Sequence, residues 1–259
     1  MKKLSIITVL LSVTFISGYS QSKHLIHIMN SASELREISQ EVVKDYFSLG
    51  AEVEHEMARH EIDEGIALFE DHLFELEDYE GNDKIITQLE NLQSIWMPMR
   101  LILVREPDIN SGPSLITKSK ELMSTTDKLL VLLEEEMKFK EAVLVNLASR
   151  EAVLPQTIAM LYIAKYWGVK YPNLEKEFKT TKDKFQDDLR KLLAAKENTP
   201  AIIKQLKRIQ SEWEFAKESL HLNAKDLNPS IIFVTTHQIM KRMDKVSQKY
   251  HDLHLAKHD

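Results

Sequence analysis

Val145–Gly168, VNLASREAVLPQTIAMLYIAKYWG, repeats an earlier stretch, Met29–Gly50, MNSASELREISQEVVKDYFSLG. Asn30 pairs with Asn146, Ala32 with Ala148, Ser33 with Ser149, Gln40 with Gln156 and Tyr46 with Tyr162, all at one shift (146 − 30 = 116). Phe69 with Phe185 and Leu73 with Leu189 keep that shift, and Leu89, Trp96 and Asp127 pair with Leu206, Trp213 and Asp244 one residue further on. A nearly constant offset held over a hundred positions marks a tandem duplication, and a duplication decides the architecture before any single element is read. The expected modules span 23–137 and 138–258, after a leader over 1–20.

Each copy reads as four helices. In the first, Ile28, Ser31, Leu35, Ile38, Val42, Tyr46 and Leu49 follow the three-and-four spacing of an amphipathic helix from about Lys23 to Leu49. A second helix is expected over Val53–Leu76. Asn82 has the look of an N-cap for a third, which carries Ile85, Leu89, Leu92 and Trp96. The loop Pro107–Pro113 precedes a fourth, marked by Leu115, Leu122, Leu129, Leu133 and Met137. The second copy predicts helices near 138–168, 173–195, 200–219 and 230–257, with Thr199 and Pro200 as a capping residue followed by proline at the first helical position. No alternating strand pattern occurs. The expected fold is all-α: tandem four-helix bundles. No Gly or Pro lies between Pro113 and Pro155, so the fourth helix is free to run into the next as one long continuous rod. Pro155, inside the second copy's first helix, is expected to kink or restart it.

Composition narrows the function. Six Gly, seven Pro, 29% charged and 43% hydrophobic residues suit a helix-rich globular chain. The net charge of −6 becomes −8 (−6 − 2) without Lys2 and Lys3, which argues against nucleic acid or an anionic membrane surface as partner. Those lysines, the apolar run Leu4–Ile16 and the small residues Gly18 and Ser20 form the pattern of a signal peptide, so a periplasmic or secreted location is expected. There is no cysteine. No nucleophile–base pair, phosphate loop or dinucleotide fingerprint appears, and the expectation is a non-enzyme without a cofactor. The histidines near the start (His24, His27, His55, His60) and the end (His251, His254, His258) have a spacing that a transition metal could use, but they read as solvated, and no metal is assigned. Trp96 and Trp213 read as core anchors.

Beside its apolar seam, each first helix carries a second stripe: Ala32, Ser33, Arg36, Ser39, Gln40, Val43 in one copy and Ala148, Ser149, Ala152, Gln156, Ala159 in the other. Small residues at this spacing admit a second helix at close range, from the sister copy or from another chain in a homodimer. Arg36 on that stripe offers a fork of donors for an anion or for a carboxylate of the chain.

The two first-helix stretches resemble the signature of the PilJ-type domain, the N-terminal domain of type IV pili methyl-accepting chemotaxis transducers, which is similar to the periplasmic sensor domain of NarX-type nitrate/nitrite kinases. The first copy keeps Asn30, Ala32, Arg36, Ser39, Gln40, Lys44 and Tyr46. The second keeps Asn146, Leu147, Ala148, Arg150, Leu154, Gln156, Ala159 and Tyr162. The resemblance implies a sensor-like protein that holds a small molecule or anion between first helices and signals through a membrane-bound partner, without an output domain of its own. It directs attention to Arg36, Ser39, Gln40, Arg150 and Gln156 as ligand-binding candidates. The two family arginine positions are Glu34 and Arg36 in one copy and Arg150 and Ala152 in the other, so a symmetric nitrate clamp is not expected. The competing expectation is a helical scaffold that has lost the site.

Overall fold

The computed structural model describes residues 4–77, 79–137, 143–222 and 227–258, with side chains omitted at 4–26, 137, 143, 146 and 254–258. The elements are α1 (Leu4–Gly50), α2 (His55–Glu77), α3 (Asp83–Leu103), a 3-10 turn (Ile109–Ser111), α4 (Gly112–Met137), α5 (Val143–Trp167), α6 (Leu174–Ala194), α7 (Pro200–Lys217) and α8 (Pro229–His258). No strand occurs among the described residues. The all-α expectation stands. Continuity between α4 and α5 falls on 138–142, outside the described residues, as do Lys2 and Lys3. Among the described residues no helix is long and apolar enough to cross a membrane.

Within each half, consecutive helices pack around a square: α1 against α2 and α4, α3 against α4 and α2, and likewise α5 against α6 and α8, α7 against α8 and α6. The short loops make neighbours antiparallel, as in a four-helix bundle. The halves meet along α1 and α5, and one apolar core runs through both. Ala32, Ser39 and Gln40 of α1 and Ala148, Ala152, Ala159 and Gln156 of α5 are all buried there. The partner for the small-residue stripe is therefore the sister copy.

Local details repeat with the sequence. Asn82 caps α3 by accepting from Lys84 N (2.9 Å), and Thr199 caps α7 by accepting from Ile202 N (3.3 Å), with Pro200 at the first turn. Trp96 stacks on Phe69 at 3.8 Å between ring centres, and Trp213 meets Phe185 edge-on at 4.6 Å. Tyr46 Oη accepts from Asp108 N (2.8 Å), and Tyr162 Oη from Asn228 N (2.9 Å). Each tyrosine ties the first helix of its bundle to the loop before the last.

The ends of α1 and α5 show why duplicated chains diverge locally. Val53 N donates to Ser48 O (2.8 Å) and Val169 N to Ala164 O (2.9 Å), the same closure at matching positions. The left-handed residue this closure needs is Gly168 (φ 93°) in one copy and Glu52 (φ 56°) in the other. Helix α1 ends at Gly50, where close packing also calls for glycine: a Cβ there would lie 2.2 Å from the Trp167 ring.

Two expectations are corrected. Helix α1 begins at Leu4 rather than near Lys23, because Leu4–Ser22 contains no proline and only Gly18 to weaken a helix. Helix α5 does not restart at Pro155 but runs through it from Val143 to Trp167. Packing against α1, α6 and α8 outweighs the one backbone donor that proline removes.

Candidate functional site

Arg36 is almost wholly buried. Its Nη1 donates to Asp127 Oδ1 on α4 (2.8 Å) and its Nη2 to Ser149 Oγ on α5 (2.8 Å). Arg150, mostly exposed, reaches the other oxygen of Asp127 at 3.9 Å. One aspartate therefore faces two guanidinium groups where α4 meets the central pair. The chain's own carboxylate occupies the place that an anion would take beside Arg36.

The remaining candidates serve helix packing in the same seam. Ser39 Oγ donates to Arg36 O (2.7 Å) within its own helix. Gln40 bridges three helices: its Nε2 donates to Ser119 O on α4 (2.9 Å), and its Oε1 accepts from Thr157 Oγ1 on α5 (3.2 Å). Gln156 Nε2 donates to Glu41 Oε1 (3.4 Å). The structure brings Arg36 and Arg150 together on Asp127. It sets Gln40 and Gln156 further along the seam, and none of the five lines the cavity described next.

That cavity, about 200 Å³, lies on the opposite side of the α1/α5 pair, where α8 crosses them. Glu34 and Glu37 of α1, Asp244 of α8 and Ser149 of α5 form its polar wall, with Asn30 and His251 at its rim. It is smaller than the roughly 300 Å³ at which drug-sized sites begin. Glu37 and Asp244 share a hydrogen bond. Burial pushes Glu37 well above the usual carboxylate range, and repulsion from Asp244, Glu41 and Glu34 adds to it. Burial likewise raises Asp244, to about 7, against the pull of the hydrogen bond from Glu37. The pair therefore retains a proton that two ordinary carboxylates would have lost. No Lys or Arg lines this cavity.

Asp244 is the repeat counterpart of Asp127, and the charges around the two are reversed. Arg150 beside Asp127 corresponds to Glu34 beside Asp244, and Arg36 corresponds to Ala152. Sequence reasoning aligned all three pairs yet did not make the acidic residues site candidates, because it followed the arginines. The substitution Arg150 to Glu34 opposite an unchanged aspartate was the available signal. His27, His55 and His60 each lie beside a separate carboxylate, Glu75, Glu56 and Glu64, while the side chains of His24, His254 and His258 lie outside the described residues. Compared with known proteins, the chain matches no family model, no curated protein and no solved structure.

Proposed function

We propose that this chain is a non-catalytic, sensor-like binding protein that holds a small organic cation, an amine or guanidinium compound, in the cavity between α1, α5 and α8. The single observation that carries this reading is the reversed environment of Asp244. Its counterpart Asp127 is neutralised by two arginines of the chain, whereas Asp244 shares its cavity with Glu37 and Glu34 and no Lys or Arg lines that cavity. Uncompensated carboxylates in a partly desolvated pocket favour a cation over an anion or a neutral ligand. A guanidinium or ammonium group entering there would restore the charge balance that the sister groove has by covalent means.

The PilJ-type kinship belongs to the same proposal. In those sensors the ligand sits between first helices, and here the cavity touches the first helix of each repeat. Export, and a membrane-bound partner that receives the signal, follow from that kinship and from the signal-peptide pattern. The change from the sensor relatives is the sign of the ligand's charge.

A thermal-shift and calorimetry panel of agmatine, putrescine, nitrate and acetate tests the proposal. Agmatine or putrescine should raise the melting temperature, the effect should vanish in Asp244→Asn, and binding should tighten as the pH rises through about 7 and Asp244 ionises. A nitrate shift that disappears in Arg36→Ala would return the site to Arg36. Silence across the panel would favour the scaffold reading.

A further inference from the structure

Farther along the α1 seam, Glu41 of α1, Glu61 of α2 and His237 of α8 converge from both bundles, with one donor atom of each lying within 4.8 Å of the other two. We infer that these three side chains form a site for a divalent transition metal, with zinc the ion whose geometry they match. The site is separate from the amine cavity and does not rest on that reading.

The distances carry the argument first. His237 Nδ1 stands 3.3 Å from Glu41 Oε1 and 3.5 Å from Glu61 Oε1. Metal–ligand bonds of about 2.0–2.2 Å in a tetrahedron place neighbouring donors about 3.3–3.6 Å apart. The imidazole Nδ1 is buried and faces these two carboxylates. With the proton of a neutral His237 on Nε2, its Nδ1 lone pair would point at the two carboxylates, and a cation between them would join all three.

Charge carries it further. Glu41 and Glu61 flank a single buried ammonium, that of Lys44, with Lys241 at the exposed rim. Lys44 Nζ lies 3.0 Å from Oδ1 of the wholly buried Asp45. Lys44 Nζ also contacts Glu61 through Oε2 (3.0 Å), the oxygen that His237 does not approach, so Glu61 has Oε1 left for a metal. Gln156 Nε2 donates to Glu41 Oε1 (3.4 Å), the oxygen that also faces His237, and leaves it a second lone pair. Outer contacts of this kind orient metal ligands. The side chains of Glu41, Glu61 and His237 are each 13–15% exposed, which leaves a path for an ion and a fourth position for water.

Titration of the chelator-stripped full chain with zinc, followed by calorimetry and elemental analysis, tests the inference. One zinc per chain is expected, with affinity lowered at least tenfold in both His237→Ala and Glu61→Gln. His27→Ala and the double change at His254 and His258 to Ala should leave it unchanged. Cobalt(II) bound to the wild-type chain should show the intense visible bands of four-coordinate geometry, a readout that needs no variant to fold. Absence of uptake, six-coordinate cobalt, or uptake that survives both His237→Ala and Glu61→Gln would overturn the site.

Discussion

Asp127 and Asp244 hold equivalent turns of α4 and α8, but one lies among arginines and the other among carboxylates. On the α4 side, Arg36 and Arg150 close the seam with the protein's own charges, and Ser149 completes the hydrogen bonding of Arg36. On the α8 side, Glu34 and Glu37 meet Asp244, and a cavity remains. Duplication gave both grooves the same backbone. Substitution then made one a structural joint and left the other with unbalanced charge. A buried ion pair stabilises only as a pair, so the two grooves should respond to mutation in opposite ways.

The largest expected effect is in the satisfied groove. Arg36→Ala removes two charge-assisted hydrogen bonds and leaves Asp127 with only the distant Arg150. A loss of about 2–3 kcal/mol is expected, which urea unfolding would measure. A loss below a few tenths would mean that the arginine contributes nothing to the joint, and the contrast would fail.

The acidic groove should reveal itself through pH. Asp244 binds its proton more tightly in the folded chain, at about 7, than in the unfolded chain, where its ordinary value is 3.8. Its contribution to stability is therefore fully present below about pH 4 and lost as the pH rises through 7. The melting temperature of the wild type should fall across that window, and Asp244→Asn should flatten the decline. An equally steep decline in the variant would place the protonated group elsewhere.

The smallest effect compares the helix ends. Glu52 adopts the left-handed conformation that Gly168 adopts in the other copy, so Glu52→Gly should stabilise by about 0.5–1 kcal/mol and Gly168→Ala should destabilise by at least as much. Opposite signs in thermal unfolding would show that the two ends are one motif differently filled. Equal signs would break the equivalence.

Much of the fold was legible because its signals are local. Thr199-Pro200 and Asn82 announce helix starts through their own side chains and backbone, and Trp96 and Trp213 fall on the apolar face by spacing alone. Pro155 was legible only in part: that the helix continues there rather than restarts depends on how firmly neighbouring helices hold α5. The partner of Arg36 was likewise out of reach, since Asp127 lies on another helix, 91 residues away. Gln40 and Gln156 were correctly placed at a helix contact, but which neighbour each touches depends on where α4 and α5 cross α1.

By itself, the order of residues determined the duplication, the eight helices and the face that each one buries, since periodicity and capping act within a few turns. Only the tertiary structure decided which charges meet. It set Arg36 on Asp127, Glu37 on Asp244 and His237 beside Glu41 and Glu61, because Coulomb interactions and desolvation depend on distances through space that no spacing along the chain specifies.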